Sequence, residues 1–191
     1  MGGLLGARFC LQDDSCGDEG GTKVGATLQG QVGVRVHKYL EVGGVLGLAM
    51  HGIDTDGDED IEKARTTSVN LLAYLNVYPW SKGIWHPYIG VGVGFNQDRS
   101  RFTYSDDKFQ DWTNRGLIRA SLGLDIMVTE KLSVGPRLDY DLQFIGKVCS
   151  ESSDSKKDCV SFSDIDDDGF DWPRWITFGA ALKGHFGAKK W

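Results

Sequence analysis

The feature that most limits what this chain can become is a strict two-residue alternation that returns along nearly its whole length. From Thr22 to His37 the even positions are Thr22, Val24, Ala26, Leu28, Gly30, Val32, Val34 and Val36. The odd positions are Lys23, Gly25, Thr27, Gln29, Gln31, Gly33, Arg35 and His37. A β-strand sends successive side chains to opposite faces, so this segment is a long strand with one apolar face and one polar or glycine face.

The same pattern recurs down the chain. Val42, Leu46, Leu48 and Met50 oppose Glu41, Gly43, Gly47 and His51. Val69, Leu71, Leu75 and Val77 oppose Ser68, Asn70, Tyr74 and Asn76. Ile89, Val91, Val93 and Phe95 oppose Gly90, Gly92, Gly94 and Asn96. Ile118, Leu122, Leu124 and Ile126 oppose Arg119, Ser121, Gly123 and Asp125. Leu132, Val134, Leu138, Tyr140, Leu142 and Phe144 oppose Ser133, Arg137, Asp139, Asp141 and Gln143. Ile176, Phe178, Leu182 and Phe186 oppose Thr177, Gly179, Lys183 and His185. A weaker first segment sets Leu5, Ala7, Phe9 and Leu11 against Gly6, Arg8 and Cys10. The expectation is an all-β chain, a single domain over residues 1–191, with about eight antiparallel strands in up-and-down order.

Connection lengths alternate too. Long polar loops are expected at 12–21, 54–63, 105–114 and 147–172, and short links at His37 to Leu40, Pro79 to Pro87 and Thr129 to Lys131. Membrane-spanning barrels have this asymmetry, with short turns on one side and long loops on the other. Pro136 falls inside the seventh segment and cannot donate a ladder bond, so a bulge or a strand boundary is expected there.

Alternation alone does not say which face is inside. The charges do. One face carries Arg8, Arg35, Glu41, Arg115, Arg119, Asp125, Arg137, Asp139, Asp141 and Lys183 among many glycines, while the other is almost unbroken Val, Leu, Ile and Phe. Long charged residues of both signs, spaced by glycine, suit a narrow filled lumen of ion pairs. A uniform branched apolar face suits lipid, where each Arg or Lys at mid-bilayer would cost about 2–4 kcal/mol. A closed barrel also satisfies every backbone polar group without water. Aromatic residues gather near segment ends and are expected in two interfacial belts: Tyr39, Trp80, Trp85, Tyr88 and Phe186 at the short-turn side, and Phe102, Tyr104, Trp112, Phe144, Trp172 and Trp175 at the long-loop side.

Composition closes off other classes. The net charge of −6 argues against a nucleic-acid partner. No run of about 18 apolar residues is present, so no transmembrane helix is expected. The opening Met1–Arg8 is too short for the apolar core of a secretion signal, so the numbering is expected to begin near the mature chain after a signal has been removed. The 26 glycines and 4 prolines suit tight strands in close contact. Four cysteines in polar surroundings point to disulfides and an oxidising compartment. Of their three possible pairings the local one, Cys10–Cys16 with Cys149–Cys159, is preferred.

The runs Tyr88-Ile-Gly-Val-Gly-Val-Gly-Phe95, Arg119-Ala-Ser-Leu-Gly-Leu-Asp-Ile-Met-Val-Thr-Glu-Lys-Leu132 and Trp175-Ile-Thr-Phe-Gly-Ala-Ala-Leu-Lys-Gly-His-Phe186 resemble the OmpA/OmpX-like family of small outer-membrane β-barrels. That resemblance covers nearly the whole chain. It implies an eight-stranded transmembrane barrel in a bacterial-type outer membrane, long loops outside and short turns in the periplasm. It also implies a terminal aromatic signal for barrel assembly, either Phe186 or Trp191.

Candidate chemistry is sparse. Asp164, Asp166 and Asp168, with Gly169 and the carbonyl of Phe170, reproduce the first half of a calcium loop. Asp54, Asp56 and Asp58 form a second acidic loop, and the alternative for both is a solvated surface. Calcium in these external loops is the one cofactor the sequence suggests. No nucleophile elbow, zinc-protease or phosphate-loop motif occurs. His37 and His86 are expected in turns, and His51 and His185 at inward positions. The leading expectation is a structural or binding barrel with an occluded lumen, meeting outer-membrane lipids, lipopolysaccharide and other envelope or surface proteins through its loops. A lipid-modifying enzyme or a narrow pore are the alternatives.

Overall fold

The computed structural model describes residues 1–10, 24–52, 61–80, 82–104, 107–152, 158–161 and 174–184. These form β1 (Gly2–Cys10), β2 (Gly25–His37), β3 (Leu40–Gly52), β4 (Ile61–Val77), β5 (Trp85–Tyr104), β6 (Asp107–Thr129), β7 (Leu132–Ser152), β8 (Asp158–Ser161) and β9 (Arg174–Gly184). Each of the first seven strands pairs antiparallel with the next, β9 pairs with β7, and β9 returns to β1. The ring β1-β2-β3-β4-β5-β6-β7-β9 is therefore a closed eight-stranded barrel. β8 is a short flap on the far end of β7, with Lys147–Ser150 facing Asp158–Ser161.

Closure fixes the inside and the outside. Leu5 (69 % exposed), Leu28, Val32, Val93, Phe95 (74 %) and Phe178 all point away from the bore. Arg8, Arg119, Arg137, Asp139 and Asp141 are buried within it. This inverts the soluble plan and makes the apolar surface the solvent-facing one, where the solvent is hydrocarbon. On β5 the outward apolar run from Trp85 to Phe95 is roughly 33 Å long at about 3.3 Å per residue. A tilt of about 40° brings its height to about 25 Å, that of an outer-membrane apolar band.

The short link expected from Pro79 to Pro87 ends earlier, because β5 begins at Trp85, and three of the expected long loops also differ. Residues 105–114 are almost all strand: β5 and β6 run on as a paired hairpin from Phe95/Gly116 to Tyr104/Asp107. The segment 147–172 holds the end of β7 and all of β8, and β4 begins at Ile61 within the expected loop 54–63. The reason is the same for the three loops. Above the membrane both faces of a hairpin are wet, so a strand persists after its apolar period has ended. A register shift between Asn114 and Arg115 marks that exit on β6.

Pro136 makes neither a bulge nor a boundary. It pairs with Ala180 on β9, and on the β6 side the register of Gly123↔Arg137 resumes unchanged at Ile126↔Val134. Pro136 is spent where a donor is not required, and its neighbour Gly135 packs so tightly that a Cβ there would collide with the Leu124 carbonyl.

The aromatic belts are partly as expected. Tyr39, Trp80 and Trp85 are exposed at the short-turn rim. Tyr88 and Trp175 are not belt residues. Both are buried in the lumen, at 2 % and 5 % exposure, because they share strand parity with Gly90 and Thr177. His86 is not in a turn either. It is buried on β5, its Nε2 3.0 Å from the Gly83 carbonyl, and His37 is the last residue of β2. The side chains of Phe102 and Tyr104, and residues Trp172, His185, Phe186 and Trp191, lie outside the described residues.

Candidate functional site

The polar lumen is the site the fold builds, and it has three levels. At the short-turn end Glu41 gathers hydroxyls and amides. Its Oε1 accepts from Tyr74 Oη (2.8 Å), Gln31 Nε2 (3.3 Å) and Asn76 Nδ2 (3.3 Å), and its Oε2 lies 3.1 Å from Tyr78 Oη. Tyr78 Oη is also 3.0 Å from Asp125 Oδ2. One hydroxyl proton cannot serve both acids. Lys183 Nζ supplies the compensating charge, donating to Asp125 Oδ2 at 2.9 Å and to Tyr78 Oη at 3.4 Å. Arg35 lays its guanidinium 4.1 Å over the Tyr78 ring, and Lys183 sits 3.9 Å over Tyr88.

Glycine makes room for these rings. A Cβ on Gly33 would strike the Tyr74 hydroxyl, and one on Gly123 would strike the Tyr88 ring. Above them Val45, Leu72 and Leu117 form a small apolar plug inside the bore with Tyr74 against it.

The middle level is ionic. Arg119 grips Asp141 through both ends of its fork, Nε–Oδ1 at 2.6 Å and Nη2–Oδ2 at 2.8 Å. Asp139 Oδ1 accepts from Arg137 Nε at 2.7 Å and Ser121 Oγ at 2.6 Å. Bidentate and charge-assisted bonds of this kind are the strong ones in a dry interior. Two further arginine bonds cross the bore: Arg119 Nη1 donates to Gln29 Oε1 at 2.9 Å, and Arg137 Nη1 to Gln31 Oε1 at 2.7 Å. Gln29 is on β2 and Arg119 on β6, four strands apart in a ring of eight, so this bond joins diametrically opposite walls.

The long-loop level contains Arg8, His51, Ser68, Asn96, Asp98, Arg115, Gln143 and Trp175. Arg115 Nη1 lies 3.0 Å from Asp98 Oδ2 and donates to Gln143 Oε1 at 2.9 Å. His51 Nε2 is 3.2 Å from Ser68 Oγ, which donates to Asp98 Oδ1 at 2.5 Å. The residue types are those of a hydrolase triad, yet the chain of bonds runs the wrong way. With the serine proton directed at Asp98, His51 must donate to the serine rather than take its proton. Its Nδ1 has no orienting partner, and the group faces the lumen rather than lipid.

All ten charged residues named from the sequence face this lumen. Its other members, Tyr78, Tyr88, Asp98, Ser68, Gln29, Gln31 and Trp175, share the inward parity of their strands, and that parity was the available signal. Cys149 and Cys159 are bonded across the β7–β8 pair. Cys10 is disulfide-bonded, and Cys16 lies outside the described residues. Asp54, Asp56, Asp58, Asp164, Asp166, Asp168 and Phe170 also lie outside them.

A closed barrel with a lipid-facing apolar band and an ion-paired bore defines a transmembrane outer-membrane barrel as its class. The chain belongs to the outer membrane protein beta-barrel domain family, which it matches over residues 3–183. Its fold is similar to that of neisserial surface protein A, at TM-score 0.57 and 11 % identity, covering 97 % of this chain and 96 % of that one. It is also similar to a major outer membrane protein from Thermus thermophilus, at TM-score 0.55 and 14 % identity, covering 95 % and 98 %. No curated protein matches the chain.

Proposed function

We propose that this outer-membrane protein is a non-conducting barrel that serves as a structural and binding component of the cell surface, presenting its projecting hairpins and loops to outside partners. The observation that carries this reading is the Arg119–Gln29 bond between opposite walls, backed by Arg137–Gln31 and by the Glu41–Tyr78–Asp125–Lys183 cluster beneath it. A bore bridged at two levels among the described residues, with the buried cluster Val45, Leu72 and Leu117 on its wall, supports an occluded lumen.

Lipopolysaccharide is the lipid partner this surface suits. On the outward wall above the apolar band Arg65 stands directly opposite Arg101, with Arg99 two residues away, and all three are exposed. Like charges facing each other on a sheet repel, and a phosphate group from an outer-leaflet glycolipid relieves that repulsion.

Single-channel recording in planar bilayers tests the occluded lumen. The wild-type barrel is expected to give no resolvable steps at moderate voltage. Regular open-channel steps from pure, folded protein would overturn the reading in favour of a pore.

A further inference from the structure

Among the described residues buried in the lumen, the long-loop half carries one more positive charge than it pairs at short range. Four guanidiniums, Arg8, Arg115, Arg119 and Arg137, share this half with three carboxylates, Asp98, Asp139 and Asp141, among the described residues. The tight contacts go one to one: Arg115 with Asp98 at 3.0 Å, Arg119 with Asp141 at 2.6 Å, Arg137 with Asp139 at 2.7 Å. Arg8 is left over. It is 2 % exposed, none of its three guanidinium nitrogens has a hydrogen-bond partner among the described residues, and its contact with Asp141 Oδ2 is a long 3.7 Å to an oxygen that Arg119 already occupies.

The groups beside Arg8 have the same need. Its guanidinium lies 4.4 Å over the Trp175 ring, whose Nε1 is buried and unpartnered. In register Trp175 neighbours Asp141 across β7–β9, and Gln143 is the next inward residue on β7. Gln143 Nε2 and Arg115 Nε are also buried without acceptors. Arg8, Trp175, Gln143 and Arg115 thus turn unsatisfied donors into one level of a narrow bore. Water would bring as many donors as acceptors and no charge. An anion brings acceptors only and cancels the surplus positive charge, and an uncompensated buried charge is the costlier defect.

We propose that Arg8, with Trp175 Nε1, Gln143 Nε2 and Arg115 Nε around it, holds one small monovalent anion inside the barrel beneath the long-loop mouth. The surplus of a single charge sets the stoichiometry at one. The narrowness of an eight-stranded bore sets the size, and chloride is the natural probe.

The test uses the full chain in detergent micelles. Thermal unfolding is followed while chloride replaces gluconate at constant ionic strength. Wild-type protein is expected to gain about 3 °C in Tm at chloride near ten times its Kd, along a saturating curve. Arg8→Gln keeps a folded barrel by circular dichroism and loses the chloride dependence. Crystals soaked in bromide are expected to show one anomalous peak within hydrogen-bond reach of the Arg8 guanidinium. Equal melting in chloride and gluconate, or a map in which water or a loop carboxylate occupies that position, would overturn the proposal.

Discussion

The two ends of the lumen solve the problem of buried charge differently. At the short-turn end two acids, Glu41 and Asp125, meet two bases, Lys183 and Arg35, and tyrosine hydroxyls spread each charge over several partners. At the long-loop end and in the middle each acid has one arginine at short range, Arg115 on Asp98, Arg119 on Asp141 and Arg137 on Asp139, while Arg119 stands 3.5 Å from Asp139 and Arg8 3.7 Å from Asp141. A hydroxyl-bridged network redistributes when one member is lost, whereas losing a carboxylate held by a bidentate arginine fork leaves that fork without its short-range acceptor. The same chemical change should therefore cost more in the middle than at the short-turn end.

Two isosteric variants put that to the test, read by urea unfolding from detergent or lipid vesicles. Asp141→Asn strips the carboxylate from the Arg119 fork and from Arg8 at once, and is expected to cost about 4 kcal/mol, the range for breaking a buried pair. Asp125→Asn removes the carboxylate charge facing Lys183, but Glu41 and Tyr78 stand within the same cluster to take up the ammonium. The expected cost is about 2 kcal/mol. Equal losses for the two variants would break the distinction between fork-bound and hydroxyl-shared carboxylates.

How much of this was legible in the sequence follows the same physics. The outer wall could be read position by position, since lipid demands an apolar side chain at each alternate residue, as at Ile89, Val91, Val93 and Phe95. The lumen could be read by residue type, as at Arg119, Asp139 and Asp141, but not by partner. Arg119 meets Gln29 at a sequence separation of 90, Arg137 meets Gln31 at 106, and Lys183 meets Tyr78 at 105. Such contacts depend on how far the strands are staggered around the ring, which no local pattern records. Tyr88 and Trp175 misled because an aromatic at a strand end suits an interface as well as a lumen. Their parity with Gly90 and Thr177 settles the matter, and the glycine at 123 that makes room for Tyr88 is the corroborating sign. The length of the β5–β6 hairpin was illegible because its outer part is polar at both parities, as at Gln97, Asp98, Arg99 and Ser100, and carries no apolar alternation.

A finer cut at the shared network comes from Tyr78→Phe. It removes only the hydroxyl between Glu41 and Asp125 and leaves the ring beneath Arg35 and near Lys183. The expected loss is about 1.5 kcal/mol, the worth of a hydrogen bond to a charged group. A loss as large as that of Asp141→Asn would mean that the hydroxyl is the keystone of the cluster and that its charges are not freely shared.

The smallest effect is expected outside the bore. The Cys149–Cys159 bond ties the β8 flap to the far end of β7, beyond the Leu142–Arg174 pair where β9 meets β7; there β7 stays paired with β6 and β8 adds nothing to the closed ring. Replacing both cysteines with serine releases a short flap whose ladder is only Lys147–Ser150 against Asp158–Ser161, too brief to hold by itself. Global unfolding is expected to change by less than about 1 kcal/mol, because the crosslink closes a short loop and the barrel wall does not depend on it. Amide exchange should tell the two regions apart: protection falls at 158–161 and at those amides of 147–150 that face β8, while β7 from Leu132 to Gln143, and the amides of 147–150 that face β6, keep theirs. A drop in the midpoint of the whole barrel, with protection lost along the length of β7, would mean that the projecting hairpin helps hold the ring closed.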